Sequence, residues 1–195
     1  MICTRRDMSE KPESWTTRSS REIADCRVFK VREDTSQRDS DGVESTFFVV
    51  ENPDWANIVA VTKDREIVLI EQFRHGTRSM ILEIPGGMAD DGEDPLAAAS
   101  RELIEETGYS PGRMIAIGQS YPNPAIQNNT IHHFLALDCE KTADVAFDDH
   151  ESIISRLVPL SELENLVHNG EITHSLAITA IYYAQRYLRN EGLIN

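Results

Sequence analysis

Apolar and polar positions follow two different periods along this chain, and the switches between them mark its elements. Apolar runs at 58–61 and 66–72 flank the turn-like Thr62-Lys63-Asp64-Arg65, which predicts a β-hairpin. A short strand is expected at 80–84. Pro85, Gly86 and Gly87 end it, because proline removes a backbone donor and glycine admits angles that other residues avoid. The period then changes: Leu96, Ala99 and Leu103 recur on one helical face, with Asp94 and Pro95 suited to the first turn and Gly108 to a left-handed stop. Strands are predicted again at 114–118, 131–137 and 153–158. Ser161 and Glu164 have capping-box spacing ahead of Leu163, Leu166 and Val167, and Gly170 closes that short helix. A last helix over 173–188 sets Leu176, Ala180, Ala184 and Leu188 four residues apart, a face expected to close the core rather than carry chemistry.

The pattern is weaker upstream. Residues 23–31 and 45–51 read as strands around a polar loop at 35–42, forming a small sheet before the core. Residues 1–20 are polar and lack a period, so they read as a loose arm pinned by Trp15. The chain therefore divides into an arm at 1–20, N-terminal strands at 21–54 and a main domain at 55–195. Strands interleaved with helices predict an α/β domain, and 195 residues suffice for one well-buried core. There is no internal repeat.

Charge changes the picture more than composition does. Apolar residues at 40% and charged residues at 27% are ordinary for a globular chain. The 19 basic and 33 acidic side chains, however, leave a formal charge of −14, which repels nucleic-acid backbones and anionic membranes. A phosphate-bearing substrate would be repelled too, so its site needs a bound cation and local arginines. Cys3, Cys26 and Cys139 show no paired spacing, and neither the N-terminus nor any later run has the apolar length of a secretory core or membrane span. A soluble, cytoplasmic protein is expected.

The chemistry is concentrated in the predicted helix at 94–108 and the loop before it. Arg101, Glu102, Glu105 and Glu106 fall within two turns, and positions three and four apart are neighbours, so three carboxylates share one side. Such like charges destabilise a bare helix by a few tenths of a kcal/mol per pair, roughly, and invite a hard divalent cation. A solvated acidic face is the ordinary explanation for an isolated cluster of this kind.

The spacing of the surrounding residues decides otherwise. Gly87, Glu93, Arg101, Glu102, Leu103, Glu105, Glu106, Gly108 and Tyr109 together resemble the Nudix box, departing from it only in the aromatic Tyr109. Ordinary residue frequencies give such a match a chance on the order of one in ten million. Glu71-Gln72-Phe73-Arg74, the run 82–87 (LEIPGG) and Gly170-Glu171-Ile172 extend the resemblance to the ADP-ribose pyrophosphatase branch.

The resemblance implies a Nudix-type α/β/α sandwich with a mixed sheet, preceded by the small N-terminal β-sheet. It also implies magnesium as cofactor, with manganese as a substitute. Carried over by position, Glu102 and Glu106 are the principal metal ligands, with Glu105 beside them and the Gly86 carbonyl as a further contact. Glu93 and Arg101 are supporting partners. Glu105, Glu106 and Glu151 are the candidates for catalysis, Glu151 being the first choice of general base within the acidic Asp148-Asp149-His150-Glu151 loop. Arg74 can grip phosphate through paired hydrogen bonds, Arg78 is a further candidate, and Glu83 matches a position that contacts metal or the substrate's ribose.

The activity so implied is metal-dependent hydrolysis of the pyrophosphate bond of a nucleoside diphosphate derivative, with ADP-ribose or a related nucleotide sugar in first place. GDP-mannose or an NADH-type dinucleotide is the alternative, because Asn123-Pro124-Ala125 and the following Gln127, Asn128 and Asn129 depart from the ADP-ribose pattern. A non-catalytic nucleotide sensor is disfavoured, because every box glutamate is kept and no basic extension is present. The N-terminal strands resemble a dimerisation segment, which implies a homodimer. His132 and His133 begin a strand, and alternation turns one of them inward as a satisfied core histidine.

Overall fold

The computed structural model of the chain describes residues 11–146 and 152–194. The described residues form two compact units, one comprising residues 11–52 with 123–128 and the other 53–122 with 129–146 and 152–194.

The first unit is a three-stranded antiparallel sheet of β1 (Trp15–Asp25), β2 (Lys30–Arg38) and β3 (Glu44–Glu51), in that order. β1 begins inside the stretch that reads as a loose arm. Every one of its residues is exposed, so no apolar alternation betrays it. Polar pairs across the sheet hold it instead: Thr16 Oγ1 donates to Asp39 at 2.7 Å, Arg21 bonds Glu33 at 2.8 Å, and Ser20 bonds Asp34. The reversal between β1 and β2 also falls within the expected strand at 23–31, where Arg27 adopts a positive φ of 68°. β2 correspondingly runs on to Arg38 through residues expected to be loop. The 123–128 segment joins this unit by backbone: Val50 N–H donates to the Ile126 carbonyl at 2.7 Å.

The second unit is built on strands β4 (Trp55–Thr62), β5 (Glu66–Arg74), β6 (Ser79–Glu83), β7 (Gly86–Met88), β8 (Tyr109–Ser110), β9 (Arg113–Ser120), β10 (Ile131–Lys141) and β11 (Ile153–Pro159). Its sheet runs β11-β5-β4-β10-β8, with β6 on β5, β7 on β4 and β9 on β10. β4 and β10 are parallel and the other pairs antiparallel, so the sheet is mixed.

Strand alternation sends side chains to two cores. Ile58, Ala60, Val68, Phe134 and Ala136 meet Ala98, Ala99 and Leu103 of helix α1 (Pro95–Thr107). Val59, Val61, Ile67, Leu69, Leu135 and Leu137 meet Ala177, Ala180, Ile181, Ala184 and Leu188 of the last helix. Between those two helices comes the short α2 (Leu163–His168), so the last is α3 (Ser175–Asn190). Each fully buried Leu, Ile or Val contributes about 1.5–3 kcal/mol, which is why the central strands are almost uninterrupted apolar runs. Helices on both faces of a mixed sheet make the expected α/β/α sandwich.

Helix ends explain where the sequence pattern held. Asp94 caps α1 by accepting from Ala97 N–H at 3.2 Å, Pro95 follows, and Gly108 closes it at φ 75°. The Ser161–Glu164 capping box does not form. A 3-10 turn over Leu160–Glu162 occupies that position, and Glu162 precedes α2 without a side-chain cap bond. α3 starts at Ser175 rather than residue 173, and His174 stands at its cap without capping it, forgoing a bond typically worth about 0.5–2 kcal/mol. Among the described residues no helix is long and apolar enough to cross a membrane.

Candidate active site

β7 brings the backbone before the box alongside β4, pairing Asn57 with Gly86 and Ala56 with Gly87. Space dictates Gly86, and Gly87 leaves room for a neighbouring side chain. A Cβ on Gly86 would meet Asn57 Oδ1 at 2.8 Å, and one on Gly87 would collide with the Glu102 carboxylate. Glu102 can therefore lie directly on the β7 backbone.

Arg101 organises the remaining carboxylates. Its Nε and one terminal nitrogen donate to the two oxygens of Glu93 at 3.1 and 2.9 Å, while the other terminal nitrogen donates to Glu102 at 2.8 Å and Glu105 at 3.1 Å. The Met88 carbonyl accepts a further bond at 3.1 Å. Glu93 also accepts from Asp90 N–H at 2.9 Å, which closes the loop before α1. Bonds from Arg101, then from Asp90, hold the Glu93 carboxyl below its usual range, and the Glu93 bonds foremost push the Arg101 guanidinium up. Glu106, only 5% exposed, accepts from Gly86 N–H at 2.9 Å. Gly86, Gly87, Glu102, Glu105, Glu106, Arg101 and Arg74 line one cleft of about 340 Å³.

Among the described residues no three carboxylate, imidazole or thiol side chains already converge at metal-binding distance. Arg101 and the Gly86 N–H instead hold the glutamates beside one another. The donor set still suits a hard divalent ion: oxygens only, on one wall, with Gly87 leaving room for Glu102.

A second charged cluster adjoins the first. Arg74, at the end of β5, donates from Nε and a terminal nitrogen to both oxygens of Glu83, each at 2.8 Å. His174 Nδ1 contacts the same Glu83 carboxylate at 2.8 Å. Glu83 is 2% exposed, and burial alone would raise its carboxyl; the Arg74 and His174 bonds outweigh this and hold it down to about 2. These three residues line a neighbouring cleft of about 440 Å³ together with Trp55 and Ile81. Trp55 and Arg74 border both clefts.

The sequence-derived candidates thus fall in three places. Arg101, Glu102, Glu105, Glu106 and Gly86 line the first cleft, and Glu93 is bonded to it through Arg101. Arg74 and Glu83 pair with one another at the junction of the two. Arg78 stands apart: it is exposed on the β5–β6 turn at φ 54° and lines neither cleft. Glu151 lies outside the described residues. His174 and Trp55 were not among the candidates. A histidine where a helix start favours Ser, Thr, Asp or Asn was the available signal for the first, and Trp55 had none. Of the paired histidines, His133 is fully buried against Ser120 Oγ at 2.8 Å and stacks on Tyr183, and its Nδ1 lacks a partner among the described residues. Its imidazole, desolvated and beside His132, is held down to about 4.

The Nudix domain matches residues 52–177 of the chain. A methanol dehydrogenase activator of Bacillus methanolicus is 29% identical over 170 residues, which is 87% of this chain and 91% of that one. An ADP-ribose pyrophosphatase of Bacillus subtilis (strain 168) is 32% identical over 138 residues, or 70% of this chain and 75% of that one. Among solved structures, an ADP compounds hydrolase superposes with a TM-score of 0.84 at 22% identity, covering 95% of this chain and all of its own, a likeness of fold. The chain belongs to the Nudix family of hydrolases. Its activity is accordingly the hydrolysis of a nucleoside diphosphate derivative with the help of a divalent metal, the general property of that family.

Proposed function

We propose that the chain cleaves the pyrophosphate bond of ADP-ribose or a related nucleotide sugar, releasing two monophosphates. The observation that carries this reading is the single cleft lined by Arg101-held Glu102 and Glu105, the buried Glu106 and Arg74. Negative side chains alone would repel a diphosphate. Carboxylates suited to a cation, with an arginine at the rim, reverse that sign locally.

Glu102 and Glu106 would hold the ion, with Glu105 and the Gly86 carbonyl as further ligands, and magnesium is the choice for an all-oxygen set with manganese as the substitute. An ion bound there would supply neutralisation of the charge growing on phosphate oxygens and a more acidic water. Arg74 orients the diphosphate, and Glu83 fixes Arg74 while facing the sugar. Arg101 and Glu93 keep the glutamates in register. Glu151 is assigned as the general base that takes the proton of the attacking water, and Glu105 and Glu106 are the catalytic candidates on α1.

A homodimer is supported by Trp15 and Phe47, whose rings meet edge-on at 5.2 Å while remaining 39% and 42% exposed. The free Cys26 and Cys139 fit a reducing cytoplasm. Product masses after incubating the protein and magnesium with ADP-ribose, ADP-glucose, GDP-mannose and NADH test the substrate assignment. AMP and ribose 5-phosphate should appear fastest from ADP-ribose, and preferential turnover of GDP-mannose or NADH would reassign it.

A further inference from the structure

We propose that His174 is a positioning residue for the hydrolytic reaction, acting through Glu83 on Arg74, so that the last helix takes part in holding the diphosphate. The inference rests on the proposed role of Arg74 in gripping that group. His174 occupies the cap of α3, yet its side chain does not cap the helix. It reaches instead to Glu83 on β6, 91 residues earlier in the chain, at 2.8 Å.

The hydrogen-bond inventory fixes the direction of that contact. An ionised carboxylate only accepts, so Nδ1 carries the proton and donates. Glu83 Oε2 thereby takes two bonds, one from His174 and one from an Arg74 terminal nitrogen, while Oε1 takes the Arg74 Nε bond. A carboxylate 2% exposed and held from both sides has no freedom to rotate, and neither has the forked guanidinium bound to it. Arg74 borders the box cleft as well as its neighbour, so the fixed fork presents its charge at a defined place beside Glu102 and Glu106. Without the imidazole, Glu83 could swing about its side-chain torsions and carry Arg74 with it.

Replacement by shape separates this role from mere packing. His174→Asn puts an amide nitrogen where Nδ1 stands, and His174→Phe keeps the ring without a donor. Steady-state kinetics on ADP-ribose with magnesium and calorimetric binding of α,β-methylene-ADP, whose bridging carbon resists cleavage, are measured for both. His174→Phe should raise KM and Kd about tenfold, the size of one lost hydrogen bond to a charged group, with kcat within about threefold of the parent. His174→Asn should recover most of the loss, with the two variants matched in thermal midpoint. In a Glu83→Gln background, His174→Phe should add little, since residues in one network are not additive.

Parent-like KM and Kd in His174→Phe, an Asn variant as weak as Phe, or a full tenfold loss persisting without Glu83 would each overturn the inference. Absence of turnover on every nucleotide sugar would defeat the substrate reading alone, because the binding arm still reports on His174. If the parent protein does not bind α,β-methylene-ADP, Arg74 has no diphosphate to hold and the positioning role is refuted.

Discussion

Arg101 and Arg74 each hold carboxylates with a forked guanidinium, yet the chain assembles the two clusters by opposite means. Arg101 draws its partners from one continuous segment, from the Met88 carbonyl to Glu105, and remains part-exposed at 31%. Arg74 meets Glu83 from the neighbouring strand and, through it, His174 from the start of the last helix. Glu83 there is sealed, with its side chain 3% exposed. The first cluster is a local motif laid on a sandwich, whereas the second exists only once the sandwich has closed. The local cluster should therefore be sensitive in its chemistry and tolerant in its stability, and the closed cluster should depend on the integrity of the fold.

Four measurements bear on that contrast, beginning with the largest effect. Glu106→Gln retains an acceptor for Gly86 N–H but removes a charge. Turnover should fall by several orders of magnitude, beyond the roughly 10–100-fold cost of losing a partner outside the ligand set, while the thermal midpoint stays nearly unchanged. Near-normal turnover would remove the box from the chemistry.

Arg74→Met leaves the buried Glu83 carboxylate without its main partner. It should destabilise the protein by about 3–5 kcal/mol, measured by urea unfolding. A loss no larger than that of a surface substitution would erase the difference between the clusters.

Acid should reach the closed cluster only after it has reached an ordinary ion pair. The Glu83 carboxyl titrates near 4.5 when unfolded and about 2 when folded, so its stabilisation is complete above about pH 4.5 and is lost as pH falls through about 2. The full span is worth about 3 kcal/mol, and Glu83→Gln should flatten that part of the unfolding profile. His133 acts in a separate window: its neutral, buried form costs stability as pH falls from about 6.5 to about 4, because the unfolded chain takes up the proton first.

The smallest effect is expected from Arg101→Lys, which keeps the charge but loses the fork shared by Glu93, Glu102 and Glu105. Activity should drop about tenfold, at the lower end of the cost of a lost supporting partner, with little change in unfolding midpoint.

The same contrast decides what could be read from the amino-acid order. The central strands and α1 were legible because burial on both faces leaves runs such as 58–61, and because Asp94, Pro95 and Gly108 mark the helix ends locally. The box was legible because its partners are covalent near neighbours. β1 was not, since a strand exposed on every residue is held by cross-strand polar pairs that have no period of their own. Ser161 misled for a related reason, as the 3-10 turn chosen by the chain moves the helix start past it. His174 belongs to a bond closed by tertiary packing, and its only trace in the sequence is a poor cap residue at a helix start.

The bare backbone at Gly87 gives this molecule a mechanical vulnerability of its own. A single methyl group introduced there acts as a wedge, forcing the Glu102 carboxylate off the strand it rests on. Bulk alone would thus move one carboxylate with every ionisable group still in the chain, which separates where the Glu102 charge sits from whether it is there.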